Sequence, residues 1–157
     1  MPIADLLIAG RIVMLTEATS RDLALDAAAR LLADASPTMT PVIGSALRER
    51  ESLGSTAIGH GVAIPHARSR AFSDARGAFL RLDHAVDFGA RDHAPVDLVF
   101  AMSVPEHASQ QHLELLAELA ERFSDRDFRD SLRDAPDVRA LHAILLGLPR
   151  PTMALLH

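Results

Sequence analysis

The feature that most narrows what this chain can become is the run Val96-Asp97-Leu98-Val99-Phe100-Ala101-Met102-Ser103-Val104, which is apolar almost throughout and bounded by turn residues. A run this long and continuous reads as a central strand buried on both faces, and such a strand needs a covering layer on each side of its sheet. Gly77-Ala78-Phe79-Leu80-Arg81-Leu82 supplies a second strand, and Ile12-Val13-Met14-Leu15 is readable as a strand or an entry segment. The cover comes from either side in sequence. Thr19 or Ser20 caps a helix in which Leu23, Ala27, Ala28, Leu31 and Leu32 recur at helical spacing, and Thr40-Pro41 opens another that ends near Leu53-Gly54. Beyond Pro105, Leu113, Leu116, Ala117, Ala120 and Phe123 follow the 3.6-residue period, then Phe128 and Leu132, then Val138, Leu141 and Ile144. Helices, strands and helices again, with no linker between them, predict one α/β domain over 1–157: a mixed β-sheet flanked by helices, with a helical C-terminal third.

Composition removes several classes of function. The net charge of −5, with no block of Lys and Arg, argues against nucleic acid and anionic lipid as partners. The absence of cysteine excludes disulfides and thiolate chemistry and fits the cytoplasm. No window approaches the roughly 20 apolar residues that span a bilayer, so membrane insertion is not expected.

Between Gly54 and Arg68 the chain changes character, to Gly-Ser-Thr-Ala-Ile-Gly-His-Gly-Val-Ala-Ile-Pro-His-Ala-Arg. Two phosphate-binding patterns are tested by it, and both fail. Gly54 and Gly59 stand at the glycine positions of a P-loop, but His60 replaces the lysine that must reach the phosphates and Gly61 replaces the hydroxyl that must hold Mg²⁺. Gly59-His60-Gly61 begins a dinucleotide fingerprint that Ile64 breaks at the third glycine. What remains is a histidine on stiff backbone. Pro65 fixes its own φ and biases Ile64 toward extended geometry, so His66 is presented in a defined direction. An imidazole with a pKa near 6.5 is largely neutral at pH 7, and one ring nitrogen can attack phosphorus while a hydrogen bond holds the other. The glycines, Ser55 and Thr56 could bring backbone and hydroxyl donors to a phosphoryl group. A lone histidine after proline is more often structural, and on these residues alone both readings stand.

The motif is more specific than its chemistry. Arg50-Glu51-Ser52-Leu53-Gly54-Ser55-Thr56-Ala57-Ile58-Gly59-His60-Gly61-Val62-Ala63-Ile64-Pro65-His66 resembles the signature of the phosphotransferase-system enzyme IIA family of the fructose, mannitol and nitrogen-regulatory type. His112-Leu113-Glu114-Leu115-Leu116, followed by Leu119-Ala120, resembles that family's second motif, so the likeness covers nearly the whole chain. Ala57 stands where glycine is usual and His60 where a small polar residue is usual. The resemblance implies that His66 is the phosphorylated nucleophile, that His112 lies beside it and stabilises the phosphoryl group, and that Arg50 belongs to the active-site region. Gly54, Ser55, Thr56, Gly59 and Gly61 are then expected to form the phosphoryl-pocket loop. The resemblance further implies an HPr-type phosphohistidine protein as donor, a IIB domain or a regulatory target downstream, and no metal or nucleotide cofactor.

Physical reasoning sets alternatives beside these roles. If Ser109 caps its helix, His112 falls in the first turn, where free N–H groups and the helix dipole favour an anion. The other reading of His112 is a core-edge residue on the stripe of Leu116 and Leu119, and that of Arg50 is a solvated charge at a helix end. A domain without a permease segment and without cysteine points to the nitrogen-regulatory branch, because IIB partners carry their phosphoryl group on cysteine. A free-standing fructose or mannitol IIA component is the alternative within the family, and a non-catalytic protein-binding module is the alternative outside it.

Overall fold

The computed structural model describes residues 3–107 and 109–147. Two 3-10 turns, Ile3–Leu6 and Ala9–Arg11, lead into β1 (Ile12–Leu15), α1 (Arg21–Leu32) and α2 (Met39–Ser52). Then come β2 (Ala57–Gly59), β3 (Val62–Ala63), β4 (His66–Ser69), β5 (Arg76–Val86) and β6 (Val96–Pro105), followed by α3 (Ser109–Ser124), α4 (Arg126–Asp134) and α5 (Val138–Leu145). The sheet runs β1-β5-β6-β3-β2, with β4 also on β6, and it is mixed: β5 is antiparallel to β6, whereas β1 on β5 and β3 and β4 on β6 are parallel.

The run 96–104 becomes the central strand, and its alternation divides the core. Leu98, Phe100, Met102 and Val104 face the C-terminal helices, against Leu115, Leu119, Phe123, Leu132 and Leu141. Val99 and Ala101 face α1 and α2, against Leu25, Leu32, Ile43 and Leu47. Phe123 stacks on Phe79 at 6.4 Å and meets Phe100 edge-on at 6.3 Å. Burying one such ring contributes about 2–3 kcal/mol, so this cluster anchors α3 to the sheet.

Three local expectations change. The second helix begins at Met39, not at a Thr40 cap, because the Ser36 hydroxyl accepts the Met39 N–H at 3.2 Å one turn earlier. On α3 the buried stripe is His112, Leu115, Leu119 and Phe123, while Leu113, Ala117 and Ala120 face solvent. A leucine-rich helix offers two overlapping i, i+3, i+7 stripes, and only the neighbouring sheet chooses between them. Ser109 is the first residue of α3, and its side chain, expected as the cap, lies outside what the structure describes. Ser20 does cap α1, accepting the Leu23 N–H at 3.2 Å.

Candidate active site at the edge of the sheet

Val62 pairs with Leu98 and His66 with Met102, so β3 and β4 keep a single register along β6. They are one strand in two pieces. Pro65 has no N–H to give to a ladder, but its carbonyl accepts the Met102 N–H at 2.9 Å and the strand runs on. Alternation then assigns the side chains. Ala63 and Ala67 pack toward α1 and α2, and Val62, Ile64 and His66 lie on the face covered by the C-terminal helices.

His66 therefore meets α3, where His112 stands edge-on to it with ring centroids 5.0 Å apart. The two rings border a cleft of about 380 Å³, lined also by Ala46, Glu49, Arg50 and Leu53 of the α2 end and by Ala67 and Arg68 of β4. The Nδ1 of His66 lies 2.7 Å from the carbonyl oxygen of Ile64. A carbonyl can only accept, so Nδ1 carries the proton and Nε2 keeps a lone pair. Burial lowers the pKa of His66 against the raising effect of the Ile64 carbonyl, and Arg50 and Arg68 lower it further. The ring is accordingly neutral at pH 7.

His112 is 6% exposed, and its Nδ1 is buried without a hydrogen-bond partner. Burial, followed by His66, Arg68 and Arg50, holds its pKa at about 4. The core-edge and functional readings of this residue merge: it sits on the buried stripe of α3 and it borders the cleft. Arg50 reaches back to donate to the Gly54 carbonyl at 2.8 Å, which keeps its guanidinium beside the cleft. Among the described residues neither Arg50 nor Arg68 forms an ion pair. Two cations without an ion pair, a neutral imidazole and a polar wall suit an incoming dianion.

The expected pocket loop does not come to this cleft. Ser55 donates to the Phe88 carbonyl, and Thr56 gives both its N–H and its hydroxyl to Glu51, at 2.8 and 2.7 Å. Gly59 and Gly61 turn the β2–β3 hairpin at φ +97 and +78; Gly61 lies five residues up an extended strand from His66, roughly 16 Å away, and Gly59 stands opposite Val62. Gly54 contributes only the carbonyl that holds Arg50. The hairpin packs against Asp92, Asp97 and Arg133 instead, and His60, itself at φ 57, donates its N–H to Asp92 at 2.9 Å. That bond stabilises a left-handed histidine where a smaller residue is usual. Sequence reasoning missed Arg68 and Glu51. Arg68 follows His66 by two on a strand, so the period alone puts it on the same face. Glu51 stood inside the motif run without an assigned role, since its burial appears only in the fold.

Comparison with known proteins bears on the fold and the family. A curated nitrogen regulatory protein of Bradyrhizobium diazoefficiens is 38% identical over 154 residues, covering 98% of this chain and 100% of the relative. Another, from Pseudomonas aeruginosa, is 41% identical over 145 residues, covering 92% and 94%. Among solved structures, nitrogen regulatory protein IIA-Ntr of Neisseria meningitidis superposes with a TM-score of 0.85 at 39% identity, covering 91% of this chain and 98% of that one. The family model described as phosphoenolpyruvate-dependent sugar phosphotransferase system, EIIA 2, matches residues 5–147, and the chain belongs to that family.

Proposed function

We propose that this protein is a phosphocarrier of the nitrogen-regulatory branch, which takes a phosphoryl group on Nε2 of His66 from an HPr-type phosphohistidine protein. The single observation that carries the reading is the 2.7 Å contact between His66 Nδ1 and the Ile64 carbonyl, which leaves Nε2 unprotonated at the cleft. In the transfer the Nε2 lone pair forms a bond to phosphorus as the donor's phosphorus–nitrogen bond breaks, and its electron pair returns to the donor imidazole. The Nδ1 proton stays on the ring throughout, donated to the Ile64 carbonyl. Arg50, Arg68 and His112 stand where they can stabilise the spread negative charge, and alignment does the rest.

The curated relatives named as nitrogen regulatory proteins, matched over nearly their full lengths, support the regulatory branch. On that reading phosphorylation adds about −1.5 to −2 charges beside Arg50 and Arg68, and a cytoplasmic target reads the change. The family description, which names a sugar system, favours a second reading in which a IIB cysteine receives the group. Among the described residues no helix is long and apolar enough to cross a membrane.

The test is incubation with phosphoenolpyruvate, enzyme I and an HPr-type protein, followed by intact mass. One acid-labile phosphate is expected on the native chain and none on His66→Ala. Uptake that survives His66→Ala would sink the proposal. Rapid loss of the label to a sugar-specific IIB would establish the second reading in place of the first.

A further inference from the structure

Glu51 is 3% exposed, at the end of a helix whose neighbouring residue, Arg50, faces the cleft. A buried carboxylate needs donors, and Thr56 supplies two, its N–H at 2.8 Å and its hydroxyl at 2.7 Å. The carbonyl of the same Thr56 accepts the Ile64 N–H at 3.0 Å. Ile64 in turn presents its carbonyl to His66 Nδ1 at 2.7 Å. The links run in one direction: His66 donates to Ile64, Ile64 to Thr56, and Thr56 to Glu51. The chain of links ends on the buried Glu51 carboxyl.

Building on the phosphocarrier reading, we propose that Glu51 is the positioning residue for His66, and that it selects the Nδ1–H form of the ring through Thr56 and Ile64. Which imidazole nitrogen keeps the proton is set by the hydrogen bond that the other makes, and here the acceptor is itself held by the chain behind it. Ile64 sits at the sheet edge, where β6 bonds to Pro65 and not to Ile64, so its carbonyl is held in place by its own backbone link to Thr56. The carboxylate also opposes the other charges around the ring. Arg50 from α2 and Arg68 from β4 disfavour a proton on His66, whereas Glu51 favours one, and neutral His112 faces the ring from α3. Glu51 thus belongs to the working of the site without touching the phosphoryl group.

The experiment is a ring-nitrogen NMR titration of the native chain and of Glu51→Gln, run beside phosphate uptake from a phosphorylated HPr-type donor. Glutamine keeps the size and one acceptor but loses the charge. In the native chain the Nδ1–H form is expected to dominate above the titration of His66. In Glu51→Gln the Nε2–H form is expected to appear, the titration midpoint of His66 to fall, and uptake to slow about tenfold, the scale seen when a working histidine loses its outer partner. A purely structural Glu51 would lower the unfolding midpoint and leave ring populations and titration as in the native chain, and that result overturns the proposal. Thr56→Val removes the hydroxyl link alone. The Thr56 N–H stays on Glu51, so a smaller shift of ring populations in the same direction is expected; this variant decides the question if Glu51→Gln does not fold, because no shift at all overturns the proposal. The ring form belongs to the unphosphorylated chain, so absence of uptake by the native protein would overturn the phosphocarrier reading and not this one.

Discussion

The two ends of the segment from Ala57 to Ser69 handle charge in opposite ways. At the hairpin end, Arg133 meets Asp97 at 2.9 Å and donates to the His60 carbonyl at 2.7 Å, and Asp92 takes the His60 N–H at 2.9 Å. Every charge there is answered. At the His66 end, Arg50 and Arg68 have no carboxylate partner among the described residues, and His112 keeps a buried nitrogen unbonded. The strand between them is continuous, so backbone geometry does not explain the contrast. Structure is held by charges that cancel, and on the proposed reading the cleft suits an anion because positive charge is left without an ion pair beside a buried imidazole. Exposed Leu53, 81% accessible, lines the open end.

The largest expected test of that contrast is at His112. His112→Gln should slow phosphate uptake about a hundredfold, the scale of losing one donor to a developing charge, and stopped mixing against a phosphorylated donor measures it. The same variant carries a pH signature. Because burial depresses the pKa of His112 from 6.5 to about 4, the unfolded chain binds this proton more readily than the folded chain over that window. Stability from this group is full above pH 6.5 and lost as pH falls through about 4, so the urea midpoint of the native chain should drop across that window and that of His112→Gln should drop less.

The hairpin end predicts the reverse pattern, in which stability falls and chemistry does not. A Cβ on Gly61, at φ +78, would meet the Arg133 Nη2 at 2.5 Å and the Asp97 carboxylate at 3.0 Å. Gly61→Ala should cost about 2 kcal/mol by denaturant titration, with the uptake rate of the folded fraction unchanged. Arg68→Ala comes next. It should slow uptake about tenfold with little change in the unfolding midpoint, since an exposed, unpaired arginine contributes little to stability. The smallest effect belongs to Arg133→Ala, about 1 kcal/mol of stability for a partly exposed pair, with phosphate uptake again at the native level. Loss of uptake in Gly61→Ala or Arg133→Ala would break the division between the two ends.

Much of this was legible beforehand, and what was missed shares one cause. The run 96–104 announced a doubly buried strand because nearly all of its residues are apolar, and Pro65 announced a fixed His66 because proline restricts its own residue and the one before it. These are properties of neighbours in sequence. The glycine-rich stretch shows the limit of such local reading: its chemistry suggests a phosphate cradle, and the packing of its hairpin against Asp92, Asp97 and Arg133 appears only in the fold. On α3 the period was right and the face was not, because Leu113 and Leu115 are equivalent until a sheet is placed beside one of them.

By itself, then, the sequence determined the α/β class, the central strand, the presentation of His66 and, through two motifs, the family. Tertiary structure alone decided which partners His66 receives. The 5.0 Å approach of His112, the cations left unpaired, and the buried Glu51 behind Thr56 and Ile64 depend on the meeting of α2, β4 and α3, which lie far apart along the chain. Burial and charge compensation act through space, and no local pattern of residues records them before the chain has folded.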